Sequence, residues 1–222
     1  MSTKLMTLVL ATHNPGKIAE LRSMLKDLPV EIVSIGEVMA AYVPPPEDAE
    51  TFEGNAFKKA RAVAEATQLV SIADDSGLVV DALNGRPGVR SARFAREGAT
   101  DSENNAALLA QMSEVEDTER TARFRCVVAM VDPFTDLDLP IYAEGRCEGT
   151  IARSPRGESG FGYDPLFVVS GLDRTYAELT ELEKNRLSHR GKALTELYPH
   201  IEALLRARVE ETARVMGAGR PA

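Results

Sequence analysis

An apolar run at residues 5–11 passes directly into Asn-Pro-Gly-Lys at residues 14–17, and this junction limits the possible folds most strongly. The run has the length of one buried β-strand. Asn14 is a favourable helix N-cap, and Pro15 suits the first helical position. Apolar side chains then recur at helical spacing, at Ile18, Leu21, Leu25 and Leu28. A buried strand that leads at once into an amphipathic helix is typical of an α/β protein.

The rest of the chain mixes predicted strands and helices without strict alternation, so we expect a mixed sheet flanked by helices. The pattern predicts strands at residues 31–35, 69–73, 78–83, 121–131, 141–145 and 166–169. It predicts further helices at residues 51–66, 100–112 and 188–208, and loops at residues 43–48, 84–98 and 157–164. We expect one domain over residues 1–208 and an extension at residues 209–222 that is frayed from Gly217.

Composition narrows the class of protein. The 222 residues carry a net charge of −8, which argues against a nucleic-acid polymer as partner, because such binding needs a basic face. Two cysteines, Cys126 and Cys147, are too few for a disulfide framework or a zinc ribbon, so we expect buried free thiols. The apolar run at residues 5–11 is too short for a signal peptide or a membrane span. We therefore expect a cytoplasmic protein that does not bind membranes.

The strand-to-helix junction is a candidate anion site. A capped helix start leaves N–H groups and the positive end of the helix dipole facing outward. Lys17 in the first helical turn opposes that dipole, so its presence favours a function such as phosphate binding. The alternative is an ordinary strand–turn–helix corner with a surface lysine.

A second candidate is Asp74-Asp75-Ser76-Gly77, which follows the predicted strand at residues 69–73. Two adjacent carboxylates at a strand end are unfavourable unless a cation or hydrogen bonds stabilise them. Mg²⁺ prefers such oxygen ligands together with substrate phosphates. The alternative is an Asx-type turn in which Gly77 supplies the backbone freedom.

Two further segments have the residue types of a nucleotide pocket. In residues 47–59, Asn55 and Lys59 lie four apart, on one face of a helix, although most charges there are explained by dipole compensation and i,i+4 pairs. Residues 159–165 combine flexible backbone with two aromatic rings that suit base stacking. Cationic and histidine side chains surround a later helix start, at Lys184, His189 and Arg190. A plain glycine loop and a capped helix remain the alternative.

The sequence lacks the common nucleotide-binding and hydrolase motifs. It has no GxxxxGK[ST] P-loop, no GxGxxG after a strand and no GxSxG elbow. Any reaction on a nucleotide would therefore use a binding site of another kind.

In combination, the segments resemble the inosine- and xanthosine-triphosphate pyrophosphatase family, the noncanonical purine NTP pyrophosphatases, in its bacterial branch. Five segments match in the family's order and span nearly the whole chain. They are LATHNPGK at 10–17, TFEGNAFKKA at 51–60, ADDSGLVVDALNGRPGVRSARFA at 73–95, GFGYDPLF at 160–167 and LTELEKNRLSHRGKAL at 179–194.

The resemblance implies Mg²⁺-dependent hydrolysis of ITP, dITP and XTP to the monophosphate and pyrophosphate, which clears deaminated purines from the nucleotide pool. It also implies a homodimer and an elongated mixed sheet in two lobes, with the active site in the cleft between them. Asp75 would be the general base and, with Glu47, a metal ligand. The implied substrate-binding residues are Thr12, His13, Asn14, Pro15, Gly16, Lys17, Lys59, Ser76, Phe161, Gly162, Tyr163, Asp164, Lys184, His189 and Arg190.

Several alternatives stay open. Asp48 and Glu50 compete with Glu47 for the role of second metal ligand. A Maf-like pyrophosphatase of modified or pyrimidine nucleotides is a rival enzyme, and a noncatalytic nucleotide- or RNA-binding module is a rival of another class. The acidic net charge and the Asp74-Asp75 pair disfavour the module. The sequence does not indicate how GTP is rejected, and we assign no function to residues 132–140.

Overall fold

The computed structural model describes residues 6–218, and within them it contains one mixed sheet of six strands. The spatial order of the strands is β2-β1-β3-β4-β5-β6. β1 is parallel to both of its neighbours, and every other pairing is antiparallel. The strands are β1 (Met6–Leu10), β2 (Val30–Ser34), β3 (Val70–Val80), β4 (Thr121–Val131), β5 (Ile141–Ile151) and β6 (Phe167–Val169).

Helices flank this sheet, as the sequence pattern predicts. α3 packs on one face of β3 and β4, whereas α1 and α6 contribute to the core on the other face. The α-helices of the described part of the chain are α1 (Pro15–Leu25), α2 (Ile35–Val38), α3 (Phe52–Thr67), α4 (Asp101–Gln111), α5 (Glu181–Leu187) and α6 (His189–Ala218). A 3-10 segment, Gly88–Arg93, lies near β3. No helix within residues 6–218 is both long and apolar enough to cross a membrane.

Side-chain caps place the helix starts where the sequence predicts them. The Asn14 Oδ1 atom accepts a hydrogen bond from the Lys17 N–H (3.1 Å), and Thr51 Oγ1 accepts one from the Gly54 N–H (3.1 Å). Ser188 Oγ likewise accepts from the Gly191 N–H (3.0 Å) at the start of α6. Each cap satisfies an N–H group that the helix leaves unpaired.

Two apolar clusters share the α6 side of the sheet. One surrounds Leu10, Ile72 and Val128 beneath α1 and α6, and the other surrounds Leu78, Phe124 and Phe167. Both predicted free thiols are buried, with Cys126 in the first cluster and Cys147 in the second. A third cluster lies under α3 on the opposite face.

The largest departure from the sequence prediction is β3. We expected two strands, at residues 69–73 and 78–83, separated by a turn at Asp74-Asp75-Ser76-Gly77. Instead β3 is a single strand that pairs with β4 from Ser71 to Val80, so the Asx-turn alternative is wrong. The acidic doublet remains in a strand because nearby cations compensate both carboxylates, as described below.

Other predicted boundaries also change. β5 continues to Ile151, beyond the predicted end at residue 145, because its second half pairs with both β4 and β6. The helix α5 had no prediction, and α6 extends to Ala218 instead of ending near Arg208. Gly217 is helical, and the predicted frayed tail from residue 219 onward lies outside the described residues.

Candidate active site

The candidate site lies where β1 stops and β3 continues. Leu10 pairs with Ile72 at the end of β1, and the Ala11 N–H donates to the Ile72 carbonyl (2.8 Å). The chain then leaves the sheet and turns into α1. The β1-facing edge of β3 is therefore free of a strand partner at Asp74 and Asp75, and the start of α1 lies beside it.

A cavity occupies this junction and brings together residues from four of the five sequence segments, all but residues 51–60. Those that we predicted as site residues and that line it are Asn14, Lys17, Glu47, Asp75, Ser76, Phe161, Gly162, Tyr163, Asp164, Lys184, His189 and Arg190. The lining also includes residues that we did not predict, namely Gly77, Val89, Ser91, Ala92, Asp101, Asn104 and Phe124.

Asp74 and Asp75 point to opposite faces of β3, because successive strand side chains alternate. Asp74 faces α1 and α6. Its Oδ2 atom contacts Lys17 Nζ (2.9 Å) and Arg190 Nη2 (3.2 Å), and it accepts a hydrogen bond from Ser76 Oγ (3.2 Å). Burial alone would raise the pKa of Asp74, but Lys17, Arg190 and Lys59 hold it well below its ordinary value. Asp74 is thus a buried counter-ion for two cations of the cavity.

Asp75 faces α3. Asn55 Nδ2 donates to Asp75 Oδ2 (3.0 Å), and Lys59 Nζ lies 3.6 Å from Asp75 Oδ1. Lys59 also donates to the Asp74 carbonyl (2.8 Å) and pairs with Glu47 Oε1 (2.6 Å). Burial raises the pKa of Asp75 even though Lys59 and Lys17 oppose that shift. A carboxylate with a raised pKa is suited to accept a proton near neutral pH.

The geometry distinguishes Glu47 from its two acidic neighbours. Glu47 and Asp75 both face the Lys59 ammonium group, and both line the cavity. Asp48 instead pairs with Lys58 in an exposed position, and neither Asp48 nor Glu50 lines the cavity; both lie, with Glu47, along an adjoining surface groove. Of the three candidates, only Glu47 lies with Asp75.

The Glu47 and Asp75 pair fits a divalent cation. Two converging carboxylates repel one another, and Mg²⁺ typically binds one or two carboxylates together with substrate phosphates. Within residues 6–218, no cluster of three or more His, Cys, Asp or Glu side chains forms a complete metal cage. A Mg²⁺ ion bound by these two carboxylates would take its remaining ligands from water and substrate.

Another part of the cavity wall is aromatic and cationic. Lys184 Nζ lies 4.8 Å from the centre of the Phe161 ring, and the Arg190 guanidinium lies 5.8 Å from it. Lys184 pairs with Asp164 Oδ2 (2.7 Å) and with Glu20 Oε1 (2.8 Å), and Glu20 also pairs with Arg190. The sequence prediction missed Glu20, although its position three residues after Lys17 places it on the same face of α1.

The helix α4 holds the glycine-rich loop at the mouth of the cavity. Asp101 Oδ2 accepts a hydrogen bond from the Gly162 N–H (2.7 Å), and Asn105 Nδ2 donates to the Gly162 carbonyl (2.9 Å). The Tyr163 hydroxyl donates to the Ser91 carbonyl (2.9 Å). The predicted capping box at residues 100–103 located this helix, but no sequence signal indicated that its first turns reach the loop.

His189 is a buried, neutral side chain. Its ring stacks on Phe124, with ring centres 4.7 Å apart, and its Nδ1 atom has no hydrogen-bond partner within the described residues. Burial, reinforced by the charge of Arg190, holds the pKa of His189 well below its ordinary value. A neutral imidazole has one donor and one acceptor nitrogen, so His189 can donate to a carbonyl oxygen.

Some predicted site residues lie beside the cavity without lining it. Lys59 lies behind Glu47 and Asp75, whereas His13 stacks on Tyr42, with ring centres 6.3 Å apart. Gly16 lies against Phe161, since a Cβ there would come within 2.9 Å of that ring. The remaining two, Thr12 and Pro15, form the turn into α1.

Fold and site together define a class of protein. It is an α/β protein whose cavity combines lysine and arginine cations, which suit phosphate, with a carboxylate pair, which suits a phosphate-bound metal ion. The chain belongs to the Ham1 family, whose model matches residues 8–200.

Named relatives and solved structures agree with this assignment. The chain is 53% identical to a dITP/XTP pyrophosphatase of Desulforamulus reducens, over 85% of this chain and 92% of the relative. It is 46% identical to the dITP/XTP pyrophosphatase of Bacillus subtilis, over 88% and 96%. The structure of a HAM1 protein from Coxiella burnetii matches with a TM-score of 0.80 and 41% identity, over 89% of this chain and 99% of that one.

Proposed function

We propose that this protein hydrolyses deaminated purine nucleoside triphosphates, namely ITP, dITP and XTP, to the monophosphate and pyrophosphate. The observation that supports this most strongly is one cavity that joins Lys17, the Glu47 and Asp75 carboxylates, and the Phe161 ring. The activity for which the relatives are named, dITP/XTP pyrophosphatase, agrees with it.

The triphosphate would lie at the α1 end of the cavity. Lys17 presents its ammonium group there and is held by Asp74 Oδ2 at 2.9 Å. Its position at the capped helix start adds the favourable dipole of α1 for an anion. Glu47 and Asp75 would hold Mg²⁺, which when bound neutralises phosphate charge and polarises the phosphoanhydride.

Asp75 would act as the general base. Its Oδ2 atom is held by Asn55, and its Oδ1 atom faces Lys59. This orientation allows Asp75 to position a water molecule and accept its proton as the water attacks the α-phosphorus and pyrophosphate leaves. The positive charge of Lys59 stabilises the carboxylate before the transfer.

The purine would stack against the Phe161 ring. Inosine and xanthosine present a carbonyl at position six, which a donor from His189 or Arg190 would recognise. Adenine presents an amino group there and would leave that donor unpaired, which disfavours ATP.

We further propose a single domain in two lobes with this cavity in the cleft, and a homodimer in the cytoplasm. These features are supported by membership of the Ham1 family and by the match over residues 8–200.

A product assay tests the function. With ITP and Mg²⁺, the protein should release IMP and pyrophosphate, and omission of the metal should abolish turnover. IDP as the first product, from protein free of contaminating phosphatase, would contradict the proposal. A panel that includes dTTP and UTP distinguishes a Maf-like specificity, and binding of ITP without turnover indicates a noncatalytic module.

A further inference from the structure

The candidate metal ligand Glu47 lies on a segment that has no regular secondary structure. Residues 43–49 are neither helix nor strand. The backbone of this segment is held by side chains from elsewhere. Arg93 Nη2 donates to the Glu47 carbonyl (2.6 Å), and Asn55 Oδ1 accepts from the Ala49 N–H (2.9 Å). The position of the Glu47 carboxylate therefore depends on two residues that are not themselves metal ligands.

Asn55 connects both sides of the carboxylate pair. Its side-chain amide binds Ala49 through Oδ1 and donates to Asp75 Oδ2 through Nδ2 (3.0 Å). Asn55 is 1% exposed, so water cannot easily replace these hydrogen bonds. One buried amide thus fixes the Glu47 segment relative to Asp75.

Arg93 fixes the same segment from the outer side. It ends the 3-10 segment Gly88–Arg93, which is attached to β3 because Ser91 Oγ accepts a hydrogen bond from the Leu78 N–H (2.9 Å). The approach is close at Gly77, where a Cβ would lie 2.3 Å from the Gly88 carbonyl oxygen. This segment therefore lies against β3, two residues beyond Asp75. The backbone that carries Arg93 is held in place by this contact.

We propose that Asn55 and Arg93 are positioning residues that set the separation of the Glu47 and Asp75 carboxylates, so that both bind one divalent cation. This inference rests on the proposed function. Groups that orient metal ligands typically change metal affinity by about 10–100-fold when they are removed. The contact between Lys59 and Glu47 holds only the side chain, whereas Arg93 and Asn55 hold the backbone that carries it.

The first experiment measures the segment itself, without metal or substrate. Amide hydrogen exchange at Ala49, whose N–H donates to Asn55 Oδ1, should be on the order of tenfold faster in Arg93→Ala than in the parent protein, because the segment opens more often. Arg90→Ala is the matched control, since Arg90 lies in the same 3-10 segment and shares the Glu97 carboxylate with Arg93 (3.2 and 3.5 Å), whereas of the two it is Arg93 that also donates to the Glu47 carbonyl. Arg93→Lys keeps a donor and should restore part of the protection. Equal exchange in Arg93→Ala and Arg90→Ala would overturn the proposal.

The second experiment measures cation binding by calorimetry, with Mn²⁺ as the probe because it takes the same oxygen ligands as Mg²⁺. The Kd for Mn²⁺ should rise about tenfold in Arg93→Ala and in Asn55→Ser, and it should be unchanged in Arg90→Ala. An unchanged Kd in folded Arg93→Ala would overturn the proposed role in cation binding. If the parent protein neither binds Mn²⁺ nor hydrolyses ITP, the proposed function fails, and the exchange result still decides whether Arg93 positions the segment.

Discussion

Two adjacent aspartates in β3 have different environments and therefore different roles. Asp74 is fully buried and balances Lys17 and Arg190, whereas Asp75 lines the cavity with Asn55 and Lys59 behind it. The pKa shifts have opposite directions: burial raises the pKa of Asp75, while the cations keep that of Asp74 well below its ordinary value despite its burial. Asp74 is thus a structural counter-ion, and Asp75 is a candidate reactive group.

Replacement of Asp75 should abolish most activity and leave the fold intact. Asp75→Asn keeps the shape but removes the base and one negative charge, so kcat for ITP should fall on the order of 10²-fold or more. The measurement is pyrophosphate release at saturating Mg²⁺, with thermal unfolding as the check on the fold. Near-normal turnover in a folded variant would refute the role of Asp75.

Asp74→Asn should instead destabilise the protein. The change leaves Lys17 and Arg190 without their shared buried counter-ion, although Glu20 still pairs with Arg190. Breaking a buried ion pair costs roughly 3–5 kcal/mol in the free energy of unfolding. Urea denaturation at pH 7 measures this cost. A variant as stable as the parent would show that the ion pairs of Asp74 with Lys17 and Arg190 do not stabilise the fold.

Lys17 and His189 should separate phosphate binding from base recognition. Lys17→Ala should slow turnover of every triphosphate and leave the ITP-to-ATP ratio of kcat/KM nearly constant. His189→Phe keeps the stack on Phe124 but removes the ring nitrogens, so it should reduce that ratio, which we expect to be at least about 10²-fold in the parent. The measurement is kcat/KM for both nucleotides in both variants. Equal effects of the two changes on rate and ratio would mean that the residues act as one unit.

At the scale of elements, the helix α4 supports the mouth of the cavity through its first turn. Its capping box places the Glu103 carboxylate against the Thr100 N–H (2.7 Å), one residue before Asp101, which holds Gly162. The hydrogen bond from the Thr100 backbone, with the Arg96 pair, lowers the pKa of Glu103 from 4.5 to about 2.

A carboxylate whose pKa is lowered by folding stabilises the folded state above its unfolded pKa and loses that effect as pH falls through its folded pKa. The stability difference between the parent and Glu103→Gln should thus be full above pH 4.5 and should vanish towards pH 2. Urea midpoints at several pH values measure it, with Glu202→Gln, exposed on α6, as control. A difference that stays constant down to pH 2 would contradict the role of Glu103.

The elements that sequence could predict are those with a local signal. Helix starts at residues 15, 52 and 189 follow from caps and periodicity, and the structure confirms them. The continuity of β3 could not be predicted, because Asp74-Asp75-Ser76-Gly77 has the local chemistry of a turn. Only contacts from residues such as Lys17 and Arg190, far away in the chain, make a strand favourable there. Asp101 was missed for the same reason, because it lies 61 residues before Gly162 in the chain, whereas Glu20 had a local signal in its spacing from Lys17.

At the scale of the whole molecule, β4 connects the two apolar clusters on the α6 side of the sheet. Phe124 belongs to one cluster, and Cys126, two residues later, belongs to the other. The pairing of β4 with β3 and β5 is continuous through this point. Neither cluster can therefore be exposed without disturbing strands that the other one needs.

We expect the two clusters to unfold together. Cys126 and Cys147 are buried thiols, one in each cluster, and thus report on them separately. In a urea series, pulse labelling with a thiol reagent and peptide mass spectrometry should give the same midpoint for both cysteines. Two separated midpoints would show that the two clusters unfold independently.

The alternation of side chains along β3 also limits how the length of this chain can change over evolution. Insertion or deletion of one residue within β3, between Val70 and Asp74, would exchange the faces of the two aspartates, because the side-chain period of a strand is two. The Asp74 carboxylate would then face α3, away from Lys17 and Arg190, and the Asp75 carboxylate would face the side of α1 and α6. A change of length at residues 132–140, between β4 and β5, lies outside the strands and would leave the faces of both aspartates unchanged.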